Sequence, residues 1–162
     1  MAFQTTVAAD LVSGIPGEIS FDAPTTVVVG VIDSTDAANN VFGRAMTYKD
    51  KSVETFQAGG TGKFAGILVN PKASAVNNIG STADTVSNGA PVGGLLEGEC
   101  YALAAAGTAI TIGDPVYFVN ADGTLGIGTA AAGQTQITGA QVFRHNPSAA
   151  NAPALVTIRI KA

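Results

Sequence analysis

What most restricts this chain is its punctuation. Apolar runs are interrupted by glycine, proline, asparagine or aspartate before any of them is long enough for an ordinary helix. Ala104-Ala105-Ala106 ends at Gly107, and Ala130-Ala131-Ala132 ends at Gly133. Glycine costs a helix interior about 1 kcal/mol relative to alanine, and a short helix does not recover its nucleation cost. Short β-branched or aromatic runs bounded by turn residues recur instead, which is the signature of strands. They are Thr25–Val29 with Val31-Ile32, Val41–Tyr48, Phe64–Val69, Glu99–Leu103, Pro115–Val119, Gln141–Arg144 and Ala154–Ile160.

Alternation assigns faces within these runs. In the second, Phe42, Arg44, Met46 and Tyr48 share one side; in the last, Val156, Ile158 and Ile160 oppose Leu155, Thr157 and Arg159. Asp122-Gly123 supplies the positive φ of a hairpin turn leading from Val116–Val119 to a return strand near Leu125. Roughly seven to nine short strands without crossover helices imply an all-β fold, an antiparallel sandwich or barrel of jelly-roll-like type.

Two stretches lack a regular pattern. Residues 1–20, broken at Ser13–Gly17, read as an extended N-terminal arm. Residues 71–94 carry four glycines, Pro71, Pro91, Asn77, Asn78 and Asn88, and read as a long loop. The β domain is then expected over residues 21–162. An extended arm of that length spans roughly 60 Å, against a domain radius of gyration of about 15 Å, so it reaches a neighbouring subunit.

The 162 residues fit one domain. Charged residues make up only 12% of them, about half the usual share. The surface must therefore be rich in Ala, Ser, Thr, Asn and Gly, side chains that lose little entropy when another protein covers them. Net charge is −4, and the eight basic residues are scattered singly. That distribution argues against nucleic acid and anionic membrane as partners. No run approaches the ~18 apolar residues of a membrane span. The first residues lack the basic and apolar regions of a secretory leader, so cytoplasmic synthesis is expected.

Chemistry is sparse. With one cysteine, Cys100, neither an intramolecular disulfide nor a paired-thiol zinc site is possible, and Cys100 reads as a small buried hydrophobe in a strand. Gly59–Gly66 is no phosphate loop, because Phe64 stands where Ser or Thr must follow Gly-Lys and Gln57 stands where the first glycine belongs. It reads as a hairpin loop entering a buried strand. Asp33 and Asp36 sit in a turn; Glu97 and Glu99 read as solvated edge charges; His145, before Asn146-Pro147, reads as a turn after a strand. No catalytic residue, metal ligand or cofactor is assigned, and an enzyme is not expected. Arg44 and Arg144 each lie beside an aromatic in an apolar strand, the setting of an interface anchor.

An ordered set of segments resembles the structural cement, or head decoration, proteins of tailed bacteriophages. It comprises Met1–Val7, Ala38–Ala45, Ala58–Lys72, Gly113–Tyr117 and Gly123–Gly126. The similarity runs through most of the chain and is weakest across residues 73–95. The resemblance implies a β-rich homodimer or homotrimer on the outer surface of the virion head, made in the bacterial cytoplasm. It would sit between subunits of the major capsid protein and resist the pressure of packaged DNA. Residues of such an interface, toward capsid or sister copies, are expected among Phe3, Gln4, Thr5, Phe42, Arg44, Lys63, Phe64 and Arg144. The competing reading is a tail-fibre or cell-surface adhesin module binding a receptor or glycan. It would need exposed aromatics, and most of the seven Phe and three Tyr fall within apolar strands.

Overall fold

Runs too short for helices satisfy their backbone groups by pairing with one another. The structure, a computed structural model, describes residues 15–20, 24–50, 54–70, 85–104, 110–145 and 154–161. Among these lie ten strands. They are β1 (Ile19–Ser20), β2 (Thr26–Ile32), β3 (Ala45–Tyr48), β4 (Thr55–Ala58), β5 (Phe64–Leu68), β6 (Pro91–Ala104), β7 (Pro115–Val119), β8 (Leu125–Ile127), β9 (Gln134–His145) and β10 (Ala154–Ile160). One 3-10 turn, Ala37–Asn39, is capped by the Asp36 carboxylate, which accepts from the Ala38 amide at 3.0 Å.

The expected all-β barrel is present, and the pairing closes it twice. One ring runs β6–β2–β4–β3–β5 and back to β6. The other runs β6–β8–β7–β9–β10 and back to β6. The long strand β6 belongs to both, closing the N-terminal ring with its first half and opening the C-terminal ring with its second. In chain order, each ring pairs its first strand with its third in parallel, and the other four pairings are antiparallel.

The repetition extends to single residues. Ile32 opposes Phe56 as Ala104 opposes Leu125, and Tyr48 opposes Phe56 as Phe118 opposes Leu125. Gly94 opposes Leu68 as Ile158 opposes Val142. Ahead of β3, the Gly43 amide donates to the Leu68 carbonyl at 2.8 Å; ahead of β7, the Gly113 amide donates to the Val142 carbonyl at 2.8 Å. Both glycines have positive φ, 81° and 95°. Each makes the turn that swings the chain into the second strand of its ring, a conformation that penalises any side chain.

Inward positions make two cores. The N-terminal ring holds Ile32, Met46, Phe56, Leu68 and Val92. The C-terminal ring holds Cys100, Val116, Phe118, Leu125, Val142 and Ile158. Fully burying an aliphatic or aromatic side chain of this size contributes roughly 1.5–3 kcal/mol. Ala45, Ile67 and Leu95 point out of the N-terminal ring and pack with the C-terminal cluster, forming the seam. Backbone bonds cross the same seam, from the Ala45 amide to the Gly123 carbonyl (2.9 Å) and from Gly60 to Asn120 (2.7 Å).

Several boundaries differ from the sequence reading. Val41–Tyr48 is not one strand; the Gly43 turn breaks it, so Met46 is buried while Arg44 stands at the turn. Residues 17–20 of the expected arm belong to the body, since the Gly17 amide donates to Tyr101 and β1 pairs with β6. Pro91–Gly94, expected in the long loop, open β6. Asn88, also in that stretch, bonds both backbone groups of Ser34 and the buried Asn40 side chain. His145 is the last residue of β9 rather than part of a turn. Residues 1–14 and 71–84 lie outside the described residues.

Candidate functional site

In a chain with few charges, the charges that the fold joins are informative. Glu99 on β6 and Arg159 on β10 are cross-strand partners. Glu99 is 0% exposed, and its Oε1 accepts from Arg159 Nε at 2.6 Å and from a terminal guanidinium nitrogen as well. The guanidinium also lies 3.5 Å from the centre of the Phe143 ring, and Arg144 approaches the same ring at 5.0 Å. This overturns the reading of Glu99 as a solvated edge charge. A carboxylate taken out of water needs a hydrogen-bonded cation, and the pairing of β6 with β10 supplies one. Glu97 remains partly exposed and accepts from the Thr26 hydroxyl at 3.2 Å. Glu99 Oε2 has no hydrogen-bond partner among the described residues.

Arg44 ties the rings together. Its guanidinium donates to Asn39 Oδ1 and to the Asp122 carbonyl, both at 3.2 Å, and lies 3.7 Å from the Asp122 carboxylate. Of the other expected interface residues, Phe42 is buried in the N-terminal core, and Phe64 is half-buried with its ring 6.2 Å from that of Phe118. Lys63 and Arg144 are exposed, Lys63 in the β4–β5 turn and Arg144 on β9. Phe3, Gln4 and Thr5 lie outside the described residues. Arg44 therefore bridges the two rings, whereas Arg144 lies on β9 of the C-terminal ring.

Cys100 is fully buried, and desolvation pushes its thiol up to about 12. It stays protonated and is a poor nucleophile. Among the described residues no cluster of three His, Cys, Asp or Glu side chains is placed to hold a metal, and no helix is long and apolar enough to cross a membrane.

The outer side of β2 is the surface that sequence reasoning missed. Val27, Val29 and Val31 are 39%, 65% and 42% exposed on one strand. A groove of about 350 Å³ beside them is lined by Val29, Phe42, Val69, Val86 and Pro91. The run was legible as a strand; that its outward valines stay exposed among the described residues was not, because exposure depends on which elements pack nearby. The Glu99–Arg159–Phe143 group was equally hidden, since only strand pairing joins residues so far apart in sequence.

Comparison with known proteins gives a consistent result. The family described as "Structural cement protein (E217 gp24/Pam3 gp6)" matches residues 3–161. A chain from a solved structure entitled "The capsid of Myoviridae Phage XM1" superposes with a TM-score of 0.70 at 17% identity, covering 99% of this chain and 98% of that one. At that identity the likeness is one of fold. No curated protein matches the sequence.

Proposed function

This chain belongs to the phage structural cement protein family, and from that premise we propose that it binds the outer surface of the head between major capsid subunits and stabilises the assembled shell. The role is structural and capsid-associated, and the family is not an enzyme family. Family membership over residues 3–161 carries the reading. It is supported by a low-charge surface with exposed valines, which suits close contact with another protein. The copies act as homodimers or homotrimers, with the N-terminal arm and exposed residues such as Lys63 and Arg144 contributing contacts.

A molecule that binds the closed shell but not its free parts stabilises the shell by linkage. Each further subunit touched by one copy adds effective concentration rather than requiring a larger single interface. Mixing the purified protein with undecorated mature heads and imaging them by cryo-EM tests this. Density at the seams between capsid subunits is expected, with improved survival of heat and osmotic shock. Heads that never take the protein up, or that survive equally without it, overturn the reading. Deleting residues 2–14 should leave the circular dichroism spectrum intact and lower occupancy on heads; unchanged occupancy removes the arm from the interface.

A further inference from the structure

The sequence contains one Asn-Gly pair, Asn88-Gly89, and the fold holds both of its reactive groups. The two residues are the centre of the turn over residues 87–90, which the Ala90 amide closes on the Ser87 carbonyl at 3.2 Å. Gly89 takes φ 85°, a value that the third position of some turns requires. Its amide donates to the Ile32 carbonyl at 2.8 Å, and the Ile32 amide donates back to the Ala90 carbonyl at 3.1 Å. The Asn88 carboxamide is bound at both ends. Its oxygen accepts from the Ser34 amide (3.0 Å) and from the Asn40 side chain (2.8 Å), and its nitrogen donates to the Ser34 carbonyl (2.8 Å). Ser34 and Asn40 are buried, whereas Asn88 itself is exposed to water.

In an open chain an Asn-Gly pair modifies itself. The glycine nitrogen gives up its proton and attacks the asparagine Cγ; a new N–C bond closes a succinimide ring as the Cγ–Nδ2 bond breaks and ammonia leaves. Water then opens the ring at either carbonyl, giving aspartate, or isoaspartate in which the main chain runs through Cγ. Water is the only co-reactant. Glycine favours the step because it has no side chain to shield its nitrogen or to oppose the ring's backbone angles. We propose that Asn88 is a deamidation site guarded by the fold. The pair stays intact while its clasp on Ile32, Ser34 and Asn40 is closed, reacts once the clasp opens, and then cannot close it again. The inference stands apart from the capsid reading.

Both partners in the reaction are engaged in the folded chain. The Gly89 N–H is committed to Ile32, and freeing the carboxamide to meet the Gly89 nitrogen gives up its bonds to Ser34 and Asn40. The reaction therefore proceeds from locally opened molecules, at a rate scaled by their share of the population. Neither product fits the closed clasp. Aspartate sets a carboxylate oxygen where the Asn88 nitrogen donated, against the Ser34 carbonyl. Isoaspartate adds a carbon to the main chain inside the turn and so displaces Gly89 from Ile32. The clasp ties the end of β2 to the entry of β6, where Val31 faces Pro91, so the modification loosens the closure of the N-terminal ring.

The test ages the full-length protein in one mildly alkaline buffer, half of it native and half unfolded in urea. Peptide mapping by mass spectrometry reads aspartate and isoaspartate at position 88. The unfolded half should accumulate both, and the native half should do so more than about tenfold more slowly. Diluted out of urea, the modified chains should melt lower than the unmodified chains of the same sample or fail to refold with them. Asn88→Asp, made directly, should also melt below wild type. Equal rates in the two halves, no reaction at position 88 in urea, or modified chains that refold and melt like unmodified ones each overturn the proposal. The rates are read on the wild-type chain, so the test holds even if Asn88→Asp does not fold.

Discussion

The two rings have the same connectivity and fill it by opposite means. In the N-terminal ring the first and third strands meet through Ile32 and Phe56, two bulky residues, and neighbours give way. A Cβ on Gly30 would lie 2.6 Å from the Phe56 ring, and one on Gly94 would lie 3.1 Å from Met46 Cε. In the C-terminal ring the same strands meet through Ala104 and Leu125, and the bulk moves to the closing strand, where Ile158 stands in the place of Gly94. Bulk lost at one strand is thus met by bulk at another, in keeping with close packing. Connectivity is thus set by where the turns fall, and side-chain size is free to migrate from strand to strand.

The sharpest contrast is one cross-strand pair. In the N-terminal ring it is Val27 with Leu95; in the C-terminal ring the same position holds Glu99 with Arg159. Arg159→Ala leaves a buried carboxylate without its cation. It should destabilise by roughly 3 kcal/mol, at the low end for a buried pair because the arginine is partly exposed. Glu99→Val with Arg159→Leu installs the residues of the other ring. Denaturant unfolding should show the double variant recovering to within about 1 kcal/mol of wild type, since a well-packed apolar pair often replaces a buried ion pair without loss. A double variant as unstable as Arg159→Ala alone would break the equivalence of the rings.

Glycines at the matching turns allow a smaller measurement. Gly43→Ala and Gly113→Ala both place a side chain at positive φ, costing roughly 1–2 kcal/mol each. A Cβ on Gly43 also meets the Gly17 amide at 3.0 Å and Pro16 Cβ at 3.1 Å, whereas one on Gly113 has nothing within 4 Å. The Gly43 variant should therefore melt lower, by an added cost of about 1 kcal/mol for crowding. Equal melting temperatures would mean that the N-terminal segment yields at no cost.

Much of the strand content was legible because β-branched runs and turn residues act locally. The runs containing β2, β5, β7 and β10, and the Asp122-Gly123 hairpin, follow from neighbours in sequence. β4 was not, because Thr55–Ala58 contains one large apolar residue and its strand character comes from pairing with β3 and β2. The opening of β6, Pro91–Gly94, was read as loop because its proline and glycines look like breakers; Gly93 and Gly94 are strand residues made small by Val27, Val69, Met46 and the Ala65 carbonyl lying against them. The repetition of the rings leaves little trace in sequence. Met46 matches Val116, Leu68 matches Val142 and Phe56 matches Leu125, so apolar character persists and identity does not. Of the candidate surface, the arginines were visible, but Glu99 with Arg159 and the exposure of the β2 valines among the described residues are products of long-range pairing.

The gentlest probe of the comparison is Cys100, whose match in the N-terminal ring is Val28. Cys100→Val exchanges one small apolar side chain for another and should shift stability by less than about 1.5 kcal/mol near neutral pH. The pH dependence is more telling. An ordinary thiol ionises near 9.0, but burial holds Cys100 protonated up to about 12 in the folded chain. Between those values the unfolded chain sheds a proton that the folded chain keeps, so a contribution fully present below the lower value is lost as pH rises toward the upper one. Valine has no such titration. Above about pH 9, wild type should therefore lose ground against Cys100→Val by up to about 1.4 kcal/mol per pH unit, measured as the difference between their denaturant midpoints. Parallel pH profiles would show that water reaches the thiol and that the C-terminal core is less tightly closed than the N-terminal one.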